Sequence, residues 1–267
     1  MITKYKSFLS HQDLAANTVR SYVWTVTHFL DKYMEVSRAK LLASKGYLVE
    51  HYKPQTVNLR LQAINKYLEF IKKEKLKMRF VKVQQKNFLE NVISDADYKF
   101  LKTKLKKDGH TSWYFVVWFL TATGARVSEL LQIKAEHVQQ SYLDIYSKGG
   151  KLRRLYIPKN LRSESIQWLK ERKLESGYIF LNRFGERITA RGIAQQLKLF
   201  ARKYDLNEAV VYPHSFRHRF AKNFLDRFND LALLADLMGH ESIETTRIYL
   251  RRTATEQQAI VDKIVDW

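Results

Sequence analysis

The sequence predicts a mainly α-helical chain with one small β-hairpin or sheet, divided into two domains. Three observations carry that expectation. Apolar residues recur at helical spacing along most of the 267 residues. One stretch, residues 142–157, alternates apolar and polar on both sides of a glycine turn, the pattern of paired strands. Finally, 3 Pro and 9 Gly are too few for a disordered or low-complexity chain and lean towards helix.

In chain order, a short helix is expected around residues 3–9. Val19, Tyr22, Val23, Val26, Phe29, Leu30 and Tyr33 then form an apolar stripe, with Asn17 or Thr18 as N-cap. A short helix around 37–43 follows. Val57, Leu61, Ile64, Leu68 and Ile71 make another stripe after the helix-blocking Pro54, completing a small bundle over residues 1–80. Periodicity fades beyond the basic run that opens at Lys72, and residues 81–92 read as an interdomain linker. The second domain, 93–267, begins with Ser94 as N-cap before Asp95. An apolar helix spans 113–121, and Gly124 breaks it. The hairpin pairs 142–146 with 154–157 across Ser147-Lys148-Gly149-Gly150-Lys151, and 178–181 reads as a short third strand. From Ala190 the chain reads as helix. It ends in an amphipathic segment of about 255–267, with Ile260, Ile264 and Trp267 at helical spacing.

Charge narrows the partners. Lys+Arg 47 against Asp+Glu 27 leaves +20, with a pI near 9.9. Residues 1–83 hold half of that excess in under a third of the chain. Folding does not require such self-repulsion, so a polyanion is expected as partner: DNA, RNA or an anionic membrane. The longest apolar run, residues 113–120, is far short of the ~20 residues of a membrane span. The N-terminus lacks a signal peptide's apolar core. A soluble cytoplasmic protein with no membrane partner is expected. The absence of cysteine excludes disulfides, thiolate zinc sites and a Cys nucleophile. No carboxylate stands at ligand spacing from the histidines, so neither metal nor cofactor is expected.

Three segments carry chemistry. In Gly124-Ala125-Arg126-Val127-Ser128-Glu129-Leu130, a helix starts near Arg126, adding a guanidinium fork to free backbone N–H groups that suit an oxyanion. In Pro213-His214-Ser215-Phe216-Arg217-His218, the helical spacing makes His214 and Arg217 neighbours near a helix start. Arg and His together suit a phosphate, one binding two oxygens and the other moving a proton. In Met238-Gly239-His240, Gly239 ends a helix, and Tyr249 follows His240 by nine residues. Each segment alone reads more simply: a surface arginine, a basic helix end, a core tyrosine.

Taken together, in this order and spacing, they resemble the tyrosine recombinases, the phage-integrase and Xer family. That family's motifs are Gly-x-Arg-x-Ser-Glu-Leu, a hairpin Gly-Lys-Gly, His-x-x-Arg-His, and Leu-Gly-His followed by Thr-x-x-Tyr. This chain has Ser147 for the first hairpin glycine and Met238 for the leucine. The resemblance implies a helical, SAM-like core-binding domain and an α+β catalytic domain forming a C-shaped clamp on DNA, without a separate arm-binding domain. It implies six catalytic residues: Arg126 and Arg217 on the phosphate oxygens, His240 bonded to one of them, Tyr249 as nucleophile, His214 for its proton, and Lys148 as acid for the leaving oxygen. Lys151 competes with Lys148 for that last role. Glu129 fits an orienting group behind the arginines. Residues 17–22 and 56–60 resemble the family's core-binding helices, so Thr18, Arg20, Arg60 and Lys66, with Lys151, are candidate DNA contacts.

The implied activity is site-specific recombination through a 3′-phosphotyrosine link and a Holliday junction, on double-stranded DNA with a specific site. The implied assembly is a homotetramer on two sites, with an accessory directionality protein as a possible partner. The source would be bacterial, phage or mobile-element, with the protein at the nucleoid. Two alternatives are a type IB topoisomerase-like strand relaxer and a catalytically silent DNA-binding protein. The N-terminal signatures and His-x-x-Arg-His oppose the first, and the full catalytic set opposes the second.

Overall fold

A computed structural model describes residues 1–84, 91–146, 152–240, 242–250 and 254–265. The chain divides into two compact units, Met1–Gln85 and Lys86–Trp267. The first is all helix: α1 (Ile2–Ser10), α2 (Ala16–Tyr33), α3 (Arg38–His51) and α4 (Pro54–Phe70), with a 3₁₀ turn at Glu74–Leu76. Pro54 opens α4, where its missing N–H costs nothing. Val19, Tyr22, Val26 and Phe29 of α2 pack against Leu61, Ile64 and Leu68 of α4 or their neighbours, so the predicted stripes are the core. Tyr5 joins α1 to α4 by donating its hydroxyl to the Ala63 carbonyl at 3.0 Å. Two α4 amides then grip the outgoing chain: Asn65 exchanges two hydrogen bonds with the Met78 backbone, and Asn58 two with Val81.

Three local expectations change here. The cap of α2 is Ala15, with no side-chain bond, not Asn17 or Thr18. Alanines 15 and 16 start the helix two or three residues earlier, and Asn17 instead accepts from Arg20 within the first turn. The helix expected at 37–43 extends to His51, because Leu41, Ser44 and Leu48 bury one face. Val81 is held by Asn58 in the first unit, although fading periodicity placed it in a linker.

The second unit contains α5 (Asp95–Lys107), α6 (Thr111–Thr123), α7 (Val127–Leu130), α8 (Ala135–Gln140), β1 (Tyr142–Tyr146), β2 (Leu152–Tyr156) and α9 (Lys159–Glu171). After these come α10 (Ala190–Lys203), α11 (Pro213–Arg227), α12 (Leu231–Met238), α13 (Ile243–Arg247), a 3₁₀ turn (Ile248–Leu250) and α14 (Ala254–Ile264). Ser94 caps α5, accepting from the Asp97 amide. Helix α6 is apolar all round because it is central, burying Tyr114, Phe115, Val117, Phe119 and Leu120. The hairpin is antiparallel, with Tyr142 opposite Tyr156 and Ile145 opposite Arg153. The expected third strand at 178–181 is absent among the described residues: Tyr178 bridges Lys134 and Leu181 bridges Arg187 as isolated pairs. Gly177 and the Asn182-capped turn flank the segment, and its backbone bonds go singly to Ile133 on one side and Ile188 on the other.

Gly124 ends α6 in the left-handed conformation, φ +62°. A Cβ there would lie 2.4 Å from Cδ1 of Phe220, and an aromatic ring has little room to yield. Gly124→Ala therefore adds backbone strain to overpacking. It is expected to cost about 2–4 kcal/mol in denaturant unfolding.

Candidate active site

Four segments of the second unit meet at two arginines and one carboxylate. Arg126 precedes α7 and donates its backbone N–H to Oε2 of Glu129 at 2.6 Å and its Nη1 to Oε1 at 2.8 Å. Glu129 sits three residues on, which places it over the open first turn of that helix. Arg126 Nη2 reaches the Gly239 carbonyl at 3.1 Å, tying α7 to the end of α12. Arg217, on α11, is 1% exposed. Its Nη1 donates to the Gly124 carbonyl at 2.5 Å, and its Nη2 to the Met238 carbonyl at 2.6 Å and to Nε2 of His240 at 3.0 Å. A guanidinium cannot accept, so Nε2 of His240 must. Its proton then lies on Nδ1, 2.7 Å from the buried Thr246 hydroxyl. Gly239, in the left-handed region at φ +61°, turns the chain so that His240 faces Arg217.

Tyr249 lies in the 3₁₀ turn after α13, and only 4% of it is exposed. Its ring stacks on His240, with centroids 6.1 Å apart at 12°, and tilts against His218 at 5.3 Å. Ala221, Leu225, Leu234 and Met238 complete its pocket. His214, on the solvent side, touches His218 with centroids 4.4 Å apart, so His218 stands between His214 and Tyr249. A cleft of about 950 Å³, lined by Arg126, Arg153, Gly239 and His240, opens beside this cluster.

The electrostatics follow from crowding cations in a dry site. Burial pushes the Glu129 carboxyl up, but the Arg153 charge and the Arg126 hydrogen bonds outweigh it and leave it below the usual carboxylate range. Burial, then Arg126 and Arg153, lower Arg217 to about 10, so it stays charged at neutral pH. Burial raises the Tyr249 phenol, and Arg217 and Arg126 partly offset it. Burial and nearby cations lower His214, and bring His218 and His240 to about 4.

Those last two shifts set a pH dependence. An unfolded histidine titrates near ~6.5. The folded state thus binds fewer protons than the unfolded state between pH 6.5 and 4. The stability present above that window is lost as pH falls through it. Both rings keep some solvent contact, which screens the effect to roughly 3 kcal/mol together. Melting temperature should drop across this window, and His218→Gln should flatten the profile. An unchanged slope in that variant would assign the acid sensitivity elsewhere.

Residues 90–256 match the family model described as the phage integrase family. That is more than half of the chain. The chain belongs to the phage integrase family. It is 29% identical to the tyrosine recombinase XerA of Pyrococcus furiosus, across 98% of this chain and 93% of that one. It is 33% identical to the tyrosine recombinase XerD of Listeria innocua, across 50% of this chain and 48% of that protein. The fold matches the Tn1549 transposon integrase solved with circular intermediate DNA: TM-score 0.73, 16% identity, 99% of both chains. It also matches XerH solved on its difH substrate: TM-score 0.69, 19% identity, 93% of this chain and 80% of that one. This protein is a tyrosine-type site-specific recombinase.

In this recombinase the residues singled out by sequence fall into three groups. Arg126, Glu129, Arg217, His240 and Tyr249 are in one cluster, and His214 stands one ring away from it. Lys148, Lys151, Trp267 and the side chain of Ile260 lie outside the described residues. Thr18, Arg20, Arg60 and Lys66 belong to the first unit. Three of these already have partners: Arg20 donates to Asn17, Arg60 donates to Thr25 and stacks 4.2 Å over Trp24, and Lys66 pairs with Glu69 at 2.8 Å. Sequence reasoning passed over Arg153, Thr246 and the contact of His218 with Tyr249. Among the described residues, no helix is long and apolar enough to cross a membrane.

Proposed function

We propose that the recombinase cleaves and rejoins duplex DNA with Tyr249 as nucleophile. The observation that carries this reading is Tyr249 buried against Arg217 and His240, within the Arg126–Glu129–Arg217 cluster. A phosphodiester anion repels nucleophiles, so cations must crowd its oxygens before attack. Arg126, with its side chain 41% exposed, and Arg217 clamp the non-bridging oxygens. The Tyr249 oxygen attacks phosphorus, the bond from phosphorus to the 5′-oxygen breaks, and a 3′-phosphotyrosine forms. The tyrosine proton passes to His214, with neutral His218 between the two rings. Lys148 protonates the departing 5′-oxygen. His240 gains a proton as the phosphate offsets the arginine charges, which turns Nε2 from acceptor into donor. One phosphodiester replaces another at each step, so no energy source is consumed. A 5′-hydroxyl from a second duplex reverses the reaction and completes strand exchange through a Holliday junction.

The assembly in this reading is a homotetramer on two specific sites, with Thr18, Arg20, Arg60 and Lys66 of the N-terminal unit contacting DNA. Lys151 adds a contact from the hairpin. A directionality protein is a possible accessory. The tail α14 supports exchange between protomers: its Val261 and Ile264, with Val265 just beyond it, are exposed on their own unit, leaving an apolar face for a neighbour. The surplus of +20 supports DNA as the polyanion. Relatives solved on recombination-site and transposon DNA support it as well. The cellular setting in this reading is the cytoplasm, with the gene carried by a bacterium, a phage or another mobile element.

The test uses duplexes selected by binding from a random library and nicked near their centre, so that cleavage releases a short strand and cannot reverse. The expected result is a protein–DNA band that survives denaturation, with the attached nucleotide on the peptide containing Tyr249. Attachment to another residue, or no adduct on a tightly bound duplex, would overturn the reading.

A further inference from the structure

We propose that Arg153 is a positioning residue of the recombination site, holding Glu129 and the Gly239–His240 turn in register with the phosphate clamp. The proposal rests on the function above, and its experiment separates the two.

Arg153 is the second residue of β2, and a charged residue there would ordinarily face water. It faces inward instead. Its partner across the hairpin is Ile145, and both lie on the buried face with Leu143 and Leu155. Its side chain is 6% exposed. Burying a guanidinium costs several kcal/mol unless it is paired, so each of its contacts bears on stability.

Three contacts define what it does. Nη1 donates to Oε1 of Glu129 at 2.8 Å, the oxygen that also accepts from Arg126. Nε donates to the Leu237 carbonyl at 2.7 Å, at the end of α12. Its Cδ occupies the space beside Gly239, where a Cβ would approach to 2.4 Å. The hairpin strand, the carboxylate and the turn that presents His240 are thus locked by one side chain.

The charge arrangement gives the lock a chemical consequence. Glu129 is a single carboxylate facing three guanidinium groups: Arg126 at 2.8 Å, Arg153 at 2.8 Å and Arg217 at 3.9 Å. If Arg126 alone held Glu129, the pair would be near neutral and a weak anchor for phosphate. Arg153 shares the carboxylate from the buried side, so Arg126 keeps net positive charge on its exposed side. Nη2 of Arg153 is buried with no partner among the described residues, and the residue lines the cleft beside Arg126 and His240. That leftover donor is understandable if Arg153 is retained for charge and geometry rather than for stability alone.

The test measures single-turnover cleavage of the nicked duplex at saturating protein, with a phosphate or a neutral methylphosphonate at the scissile position. In both substrates Tyr249 displaces the 5′-oxygen, so only the charge on the non-bridging oxygens differs. Arg153→Met is expected to bind the duplex normally and to slow cleavage of the phosphate about 10²-fold, the scale of a misplaced catalytic group. Its methylphosphonate rate should fall by about tenfold or less, because little charge remains to be met. Arg153→Lys keeps the charge but not the fork, and should recover part of the phosphate rate. Equal slowing on both substrates, or no slowing in a folded Arg153→Met protein, overturns the proposal. Should Arg153→Met fail to fold, the comparison of substrates is made with Arg153→Lys, where the same inequality is required. Failure of wild-type protein to form any adduct would instead overturn the assignment of Tyr249.

Discussion

Replacing Tyr249 by Phe should abolish the covalent protein–DNA adduct while leaving DNA affinity close to that of the wild type. The substitution removes one oxygen and keeps the ring that packs on Ala221, Leu225, Leu234 and Met238 and stacks on His240. The basic surface is untouched, and phosphate contacts dominate affinity for DNA. The stability change should be small, about 1–2 kcal/mol, because only one buried hydroxyl is lost and the ring packing stays. Denaturing gels with the nicked duplex read the adduct, and a binding isotherm at fixed salt reads the affinity. An adduct that persists would move the nucleophile elsewhere. Lost binding would mean that the tyrosine organises the surface rather than the reaction.

Arg217→Lys should fail in both stability and catalysis, whereas Arg126→Lys should fail in catalysis alone. Arg217 spans two carbonyls, of Gly124 and Met238, that end α6 and α12. A lysine carries a point charge and cannot satisfy both at that separation with the same geometry. One buried carbonyl is left unpaired, at about 1–3 kcal/mol. The fork that meets phosphate is lost as well, and removing one such donor slows acyl or phosphoryl chemistry by about 10²–10³-fold. Arg126 has an exposed outer side, so its replacement should lower the melting temperature little while slowing cleavage comparably. Denaturant titration and single-turnover cleavage measure the two effects separately. Equal destabilisation by both substitutions would contradict the division of labour seen in the hydrogen bonds.

Periodicity alone placed much of this molecule. The stripe from Val19 to Phe29 and the stripe from Val57 to Leu68 are the core of the first unit, since a helix turns its apolar face to whatever covers it. The hairpin, the stop at Gly124 and the cap at Ser94 were legible for the same local reason: backbone conformation there depends on neighbours in sequence. The order of the motifs, through their resemblance to the tyrosine recombinases, also singled out Arg126, Glu129, His214, Arg217, His240 and Tyr249. The tertiary structure decided the rest. Whether 178–181 forms a strand depends on a partner running beside it, and here the backbone pairs singly with Ile133 and Ile188 instead. Whether Asn17 or Ala15 caps α2 depends on a side chain choosing Arg20 over a backbone amide. Arg153 shows the limit most sharply. Alternation puts Arg153 on the face of Leu155 and Ile157 and leaves Arg154 outside, paired with Asp144, but a charged residue at an inward position offers no apolar signal of burial. Only the fold brings Glu129, from 24 residues earlier, to meet it. A buried charge is tolerated where its counter-charge is delivered by chain distant in sequence, and that delivery is written in three dimensions rather than in any local pattern.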